Sequence, residues 1–350
     1  MKSIPRYEIE YHSTSIDEDD HEASFKVRRN GKVFDIRISP SYFINSPLMT
    51  EKYLAYLAVL RSGEEFVGDI YDSDVYEWVM DPFKTLLAEL APPPPGDLKD
   101  IRITLQEHLF PEVFVFNFEI VDEKICPNRV FGEAAPFRPS FCRFDDEFLD
   151  RLELWTLLYD PVGITLSFEN PEDALFKQPR KVLIKNDKIE CFYKPCHSSV
   201  QAKHELEAYE AIAASGLYDS QPNNICRMYG VVMDECGFIL RILLSHVNLD
   251  CPLSMRVHPD DPDDPPMTVR RTWMRQLDTM LGRLHSAGII WGDVKAENVL
   301  IDLDNNAWIT DFGGGYTAGW VDKALAGTKA GDEMGMTKIR RLLFPEPSSS

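Results

Sequence analysis

Apolar and polar positions change their period several times along the chain, and each change marks an element. "FKVRRNGKVFDIRI" (25–38) alternates on both sides of Asn30-Gly31. Two turn residues that tolerate positive φ, set between alternating runs, predict a two-residue β-hairpin. A helical period follows at 47–61 and again at 73–90, where Val75, Val79, Phe83, Leu86, Leu87 and Leu90 form one stripe. "EVFVFNFEIV" (112–121) reads as a strand. From about 175 onward, "KVLIK" and "IECFYK" flank Asn186-Asp187 as a second hairpin. Ser198 and Gln201 have the spacing of a capping box and open a helix that runs to about Ala214. "ICRMYGVVM" and "GFILRILL" predict two more strands around the Asp234–Gly237 turn. Val269, Trp273, Leu277, Met280, Leu281 and Leu284 line one face of a long helix ending near Gly288. A last hairpin, "VLIDL-DNN-AWIT", leads into "DFGGG".

Three segments interrupt these patterns. "SIDEDDHE" (15–22) is acidic, "APPPPGD" (91–97) is a stiff polyproline stretch, and "HPDDPDDPPMT" (258–268) is too rich in Pro and Asp for regular structure. No internal repeat is present. Residues 1–150 read as a small α+β region.

Composition narrows the function. The 350 residues are 44% apolar and 27% charged, enough for two or three soluble domains. The formal net charge is −20, from 57 acidic and 37 basic residues, which argues against nucleic acid and anionic membrane as partners. The seven cysteines are an odd count without a C-x-x-C, so neither a zinc knuckle nor a disulfide framework is expected. With no apolar leader and no run of roughly 20 apolar residues, a cytoplasmic or nuclear location is expected.

The chemistry concentrates in "IIWGDVKAENVLI" (289–301) and the segment after it. Asp293 and Asp311 lie 18 residues apart across a predicted hairpin, which returns the chain to its starting end. Asp293, Asn298 and Asp311 should therefore converge beside a glycine run. Two carboxylates and a carboxamide suit a hard cation such as Mg²⁺ that leaves room for phosphate oxygens. Upstream, Glu205 shares a helical stripe with Ala208, Tyr209 and Ile212, so it should point inward, toward Lys194 at the end of a strand. Cys191, Cys196, His285, Trp308 and Trp320 read as structural residues.

The stretch "LHSAGIIWGDVKAENVLID … WITDFGGG" resembles the catalytic and metal-binding loops of the protein kinase-like superfamily. "WGDVKAENVLID", "DFGGGYTAGWVD" and "GTKAGDEMGMTKI" are similar to a group of kinase-like proteins from filamentous fungi. The resemblance covers about 175–345. It implies a bilobal kinase-like fold, α+β in class, with an N-lobe at 151–246 and a truncated C-lobe at 247–350. It further implies ATP and Mg²⁺ as cofactors and transfer of the γ-phosphoryl to a hydroxyl acceptor on a protein or small molecule. In that reading Asp293 is the catalytic base and Lys295 sits near the transferring phosphate. Asn298 and Asp311 hold Mg²⁺, and Lys194 paired with Glu205 clamps the nucleotide's phosphates. The backbone near Leu243, Leu244 and His246 receives adenine.

The pattern departs from the superfamily in three places. The turn at Asn186-Asp187 carries no glycines. Trp291-Gly292 stands where His-Arg is usual, which implies a site without activation-loop control. Asp332 follows Asp311 by only 21 residues and resembles the helix aspartate that pins the catalytic loop, with 18 residues after it. A nucleotide-binding pseudokinase, with residues 1–150 as a contact for a protein partner, is the competing reading.

Overall fold

The structure, a computed structural model, describes residues 6–15, 17, 19–97, 100–132, 139–185, 188–219, 224–257 and 264–345. The chain forms two compact units, one from residues 1–139 and 162–180, the other from 140–161 and 181–350. Both mix helices and strands, an α+β architecture.

In the first unit, β1 (Glu8–Thr14), β2 (Ala23–Arg29) and β3 (Lys32–Ile38) run antiparallel in sequence order. Asn30 and Gly31 close the β2–β3 hairpin at φ 47° and 76°, the left-handed pair that this turn requires. Helix α1 spans Pro47–Ser62. The stripe at 73–90 is split into α2 (Asp72–Met80) and α3 (Lys84–Leu90) by a tight turn at Asp81–Phe83. Pro82 is the reason, since it has no N–H for the carbonyl four residues back. The apolar face survives the break, and Val75, Val79, Phe83 and Leu87 are all buried. They pack on Phe25, Phe34, Phe116 and Phe118 of the sheet, each contributing roughly 1.5–3 kcal/mol. Strand β4 (Val113–Val121) pairs parallel with β3 and antiparallel with β5 (Lys124–Val130). Residues 162–180 complete this unit, with Leu105 N–H donating to Ile164 O (2.8 Å) and Gly31 N–H to Leu175 O (2.8 Å).

The second unit opens with α4 (Asp146–Trp155), capped by the Asp145 carboxylate accepting from Phe148 N–H at 2.8 Å. Five of its strands form one sheet. They are β6 (Leu158–Tyr159), β7 (Lys181–Ile184), β8 (Ile189–Pro195), β9 (Met228–Met233) and β10 (Ile239–Ser245), in the order β7-β8-β10-β9-β6. Close approach fixes Gly230 on β9, because a Cβ there would meet Leu157 O at 2.3 Å. Between β8 and β9 runs α5 (Ser199–Ala214), whose Ser198 Oγ accepts from Gln201 N–H at 3.4 Å.

The rest of the second unit holds β11 (Leu249–Pro252), α6 (Met267–Ser286), the β12–β13 hairpin (Val299–Asp302 and Ala307–Ile309) and α7 (Lys329–Leu343). Helix α6 begins inside the segment expected to lack regular structure, as Pro266 ends the irregular stretch in an extended conformation at the N-cap. It ends as expected, with Gly288 at φ 77°. Trp273 on α6 is fully buried and its indole donates to Asn305 O at 2.9 Å, which ties the helix to the hairpin turn. Among the described residues no helix is long and apolar enough to cross a membrane.

Candidate active site

A carboxylate on an apolar helix face is costly unless a cation meets it. Glu205 is 4% exposed on α5, beside the buried Ala202, Leu206, Tyr209 and Ile212. Its partner arrives from the adjoining strand. Lys194, next to last in β8, places Nζ 2.7 Å from both Glu205 oxygens and 3.1 Å from Asp311 Oδ1. Burial works against the Lys194 ammonium, but the two carboxylates outweigh it and hold its pKa above the ordinary lysine value. Burial pushes the Glu205 carboxyl upward, with Lys194 opposing. The three side chains thus join β8, α5 and the segment after β13.

The loop before β12 is held from behind by α7. Asp332, 2% exposed in the first turn of that helix, accepts from Trp291 N–H and Gly292 N–H at 2.9 Å each and contacts His285 Nε2 at 2.8 Å. Trp291 is fully buried, and its indole donates to Thr310 O at 2.9 Å. The loop is thereby tied to the residue before Asp311. Gly335 lets the helix approach, since a Cβ there would lie 2.6 Å from Val294 O.

Held this way, Asp293 collects three neighbours. Lys295 Nζ is 2.7 Å and Asn298 Nδ2 3.0 Å from Asp293 Oδ2, and Thr317 Oγ1 is 3.3 Å from Oδ1. Thr317 also accepts from Lys295 Nζ at 3.0 Å. Its place in the site was not read from the sequence, where a threonine six residues beyond Asp311 is one polar residue in a glycine-rich loop. The hairpin does the work expected of it. Val299 pairs with Ile309, and Thr310 N–H donates to Asn298 O at 3.2 Å, so Asn298 and Asp311 leave the same end of β12–β13.

Asp311 has φ 62°, a conformation that a non-glycine residue holds only when its surroundings impose it. Phe312 supplies one constraint, being buried with its ring edge-on to Tyr209 of α5 (centroids 5.4 Å). Lys194 on Asp311 Oδ1 supplies another. The glycines after it allow close passage past the loop, and a Cβ on Gly292 would sit 3.4 Å from Gly314 Cα.

Among the described residues, no three of His, Cys, Asp and Glu group as a metal site. The oxygen donors fit a cation shared with phosphate instead, since Mg²⁺ keeps water and takes only one or two protein ligands. Asn298 spends Nδ2 on Asp293 and keeps Oδ1, while Asp311 Oδ2 has no protein partner among the described residues.

Leu243 and Leu244 sit differently from the expectation. Both lie inside β10, flanked by β8 and β9, so their backbone groups face neighbouring strands rather than an open cleft. The strand ends at Ser245, and backbone free of the ladder begins at His246. Asn186-Asp187, the turn without glycines, lies outside the described residues. Trp308 donates to Asp302 Oδ2 at 2.8 Å, and Trp320 packs on the core from a half-buried position.

No family model matches the chain. Short segments are similar to protein kinases. Serine/threonine-protein kinase PKH3 of Eremothecium gossypii is 42% identical over 59 residues, 17% of this chain and 8% of that protein. The hormonally up-regulated neu tumor-associated kinase of Mus musculus is 45% identical over 49 residues, 14% of this chain and 7% of its own. A putative ribosomal protein S6 kinase alpha-1 of Caenorhabditis elegans is 44% identical over 41 residues, 12% and 5% of the two chains. The chain thus spans less than a tenth of the length of these relatives, and the matches support a kinase-like relationship for part of it.

Proposed function

We propose that the second unit is a protein kinase-like phosphotransferase that moves the γ-phosphoryl of ATP to a hydroxyl acceptor. Its fold in this reading is bilobal, with the five strands β6 to β10 and α5 as one lobe and a helical lobe around α6 and α7. The observation that carries it is a pair of contact sets, Glu205 to Lys194 to Asp311, and Asp293 with Lys295, Asn298 and Thr317. A protein that needed only fold stability would gain little from grouping two lysines with four carboxylates or carboxamides in this way.

The residues divide the work. Lys194, held forward by Glu205, neutralises charge on the nucleotide's phosphates. Asp293 orients the acceptor hydroxyl and takes its proton, and Thr317 holds that carboxylate in place until the acceptor arrives. Lys295 stabilises charge on the phosphoryl group in flight. Asn298 and Asp311 hold Mg²⁺, which supplies charge neutralisation at the phosphate oxygens when bound. Backbone groups at His246 and Val247, between β10 and β11, receive adenine. No activation-loop phosphate is needed, because Trp291 and Asp332 fix the loop by packing and hydrogen bonding.

The test pairs thermal unfolding with an ATP-turnover assay. MgATP at about 100 times its Kd stabilises the native protein by roughly 2.7 kcal/mol. Asp311→Ala abolishes the shift. Asp293→Asn keeps the shift and lowers turnover by roughly 10²–10⁴-fold. A protein that neither shifts nor turns over ATP overturns the proposal. A shift without turnover favours a nucleotide-binding scaffold, a reading motivated by the lack of any glycine between Lys181 and Pro195.

A further inference from the structure

Two buried cysteines are fixed at the start of β10, one of them two residues beyond Lys194. Cys142 and Ile239 exchange backbone hydrogen bonds of 2.8 and 3.0 Å, and Cys196 N–H donates to the next carbonyl, Leu240 O, at 3.4 Å. Consecutive residues of one strand therefore fix both cysteines, 54 positions apart in the chain, and both side chains enter the same core cluster.

The following residue, Arg241, is unusual. It is 7% exposed, and among the described residues its guanidinium donates to Ser140 O (2.9 Å), Ser140 Oγ (3.3 Å) and Leu240 O (2.6 Å). It lies over the Tyr193 ring at 5.0 Å, and its Nε has no partner. Among the described residues no carboxylate meets it. A buried cation without an anion is costly, and its charge acts on both thiols. Hydrogen bonding to Cys196, then to Ser199, together with the charge of Arg241, brings the Cys142 thiol down to about 7 against the opposing effect of burial. The Cys196 thiol is pushed the other way, chiefly by the same Cys142 contact. One sulfur is thus prepared as thiolate and the other as thiol. An open pocket of about 640 Å³ is lined by the next residue, Arg143, and by Ser199, whose hydroxyl acts on the Cys142 thiol, while Cys142 itself is fully buried.

We propose that Cys142 and Cys196 form a reversible oxidation site, with Cys142 as the attacking sulfur, Cys196 as the resolving one and Arg241 as the counter-ion. The oxidant is a peroxide. The Cys142 thiolate displaces one peroxide oxygen, giving a sulfenic acid and, with one proton, water. The Cys196 sulfur then attacks the Cys142 sulfur, forming the disulfide and releasing a second water. Two thiols lose two electrons and two protons, and the O–O bond takes them up. Cys196 lies two residues beyond Lys194 and three before the first residue of α5, so the crosslink would fasten the strand–helix joint. The site stands whether or not the unit transfers phosphate.

The experiment uses the full chain under graded hydrogen peroxide, followed by alkylation, non-reducing digestion and mass spectrometry. The expected product is a peptide linked through Cys142 and Cys196, lost on dithiothreitol treatment. Cys126, Cys191, Cys226, Cys236 and Cys251 remain alkylatable at that stage. In the wild-type protein the oxidation rate levels off with pH above about 7 rather than climbing to 9, the ordinary thiol value. Cys196→Ala leaves a sulfenic acid at Cys142 that dimedone traps. Arg241→Met slows oxidation at neutral pH, by roughly fivefold for each unit that the thiol pKa rises, and Arg241→Lys restores most of the loss. Absence of the linked peptide overturns the proposal, as does prior oxidation of the exposed Cys126 and Cys236. A rate still rising at pH 9 in the wild type overturns Cys142 as the attacking thiolate.

Discussion

Glu205 shows how little one residue type says without its surroundings. Its burial was readable from spacing, because Tyr209 and Ile212 recur on its side of the helix. Its electrostatic state was not readable, since that depends on how closely Lys194 meets it. Burial raises its folded-state pKa above the ordinary 4.5, and the opposing Lys194 attraction does not reverse the direction. In the window above 4.5 the native state therefore holds a proton that the unfolded chain has released. Stability contributed by such a group falls as pH rises through the window. Glu205→Gln removes the titration together with the charge that faces Lys194, and keeps an amide oxygen for its hydrogen bond. The stability difference, wild type minus Glu205→Gln, should decrease as urea unfolding is taken from pH 4.5 toward 7. A difference that instead grows with pH would mean that the Lys194 attraction dominates burial. Thr317 and Trp291 mark the limit of residue-level reading. Both roles depend on a loop folding back, and neither residue type announces that.

At the scale of elements, most of the second unit could be read in order, because each strand and helix carries its own period. The hairpin at Asn30-Gly31 was legible for the same reason, as two residues fixed its turn. What failed was local competition. The stripe at 73–90 is continuous in sequence yet splits at Pro82, where backbone chemistry overrides side-chain pattern. Leu243 and Leu244 were assigned a role at a strand end, but pairing extends through both, and strand ends are set by partners distant in sequence. Helix α7 gives the clearest case of an element positioning a site. Asp332→Ala leaves two loop N–H groups and His285 without their acceptor, a loss of about 3 kcal/mol or more. Asp332→Asn, retaining one acceptor oxygen, should lose less. Gly335→Ala forces a methyl against Val294 and should cost about 1–3 kcal/mol. Urea unfolding of the three variants checks the order, and an Asp332→Ala loss below that of Gly335→Ala would contradict it.

For the whole molecule, the order of the chain and the order of its compact units differ. Residues 140–161 belong with the second unit and 162–180 with the first, so no single cut separates them. Sequence patterns could not show this, because a short irregular segment such as 162–180 has no period of its own. Its contribution is nonetheless large. It gives the first unit hydrogen bonds at Gly31, Ile103 and Leu105, and Gln178 donates to Glu10 Oε1 at 2.8 Å. Ile164, Leu166, Ala174, Leu175 and Phe176 within it are all buried. Burial of such side chains together with those hydrogen bonds contributes about 5–10 kcal/mol, similar to the whole stability of a small domain. A fragment ending at residue 139 should therefore lack a cooperative thermal transition. Replacing 140–161 with a flexible Gly/Ser segment of the same length, in a chain that ends at 180, should restore one, because it returns those hydrogen bonds and side chains without the rest of the second unit. Near-ultraviolet circular dichroism on heating distinguishes the outcomes. Equal cooperative melting of both fragments would show that 162–180 adds nothing to the first unit, and that its contacts there follow folding rather than enabling it.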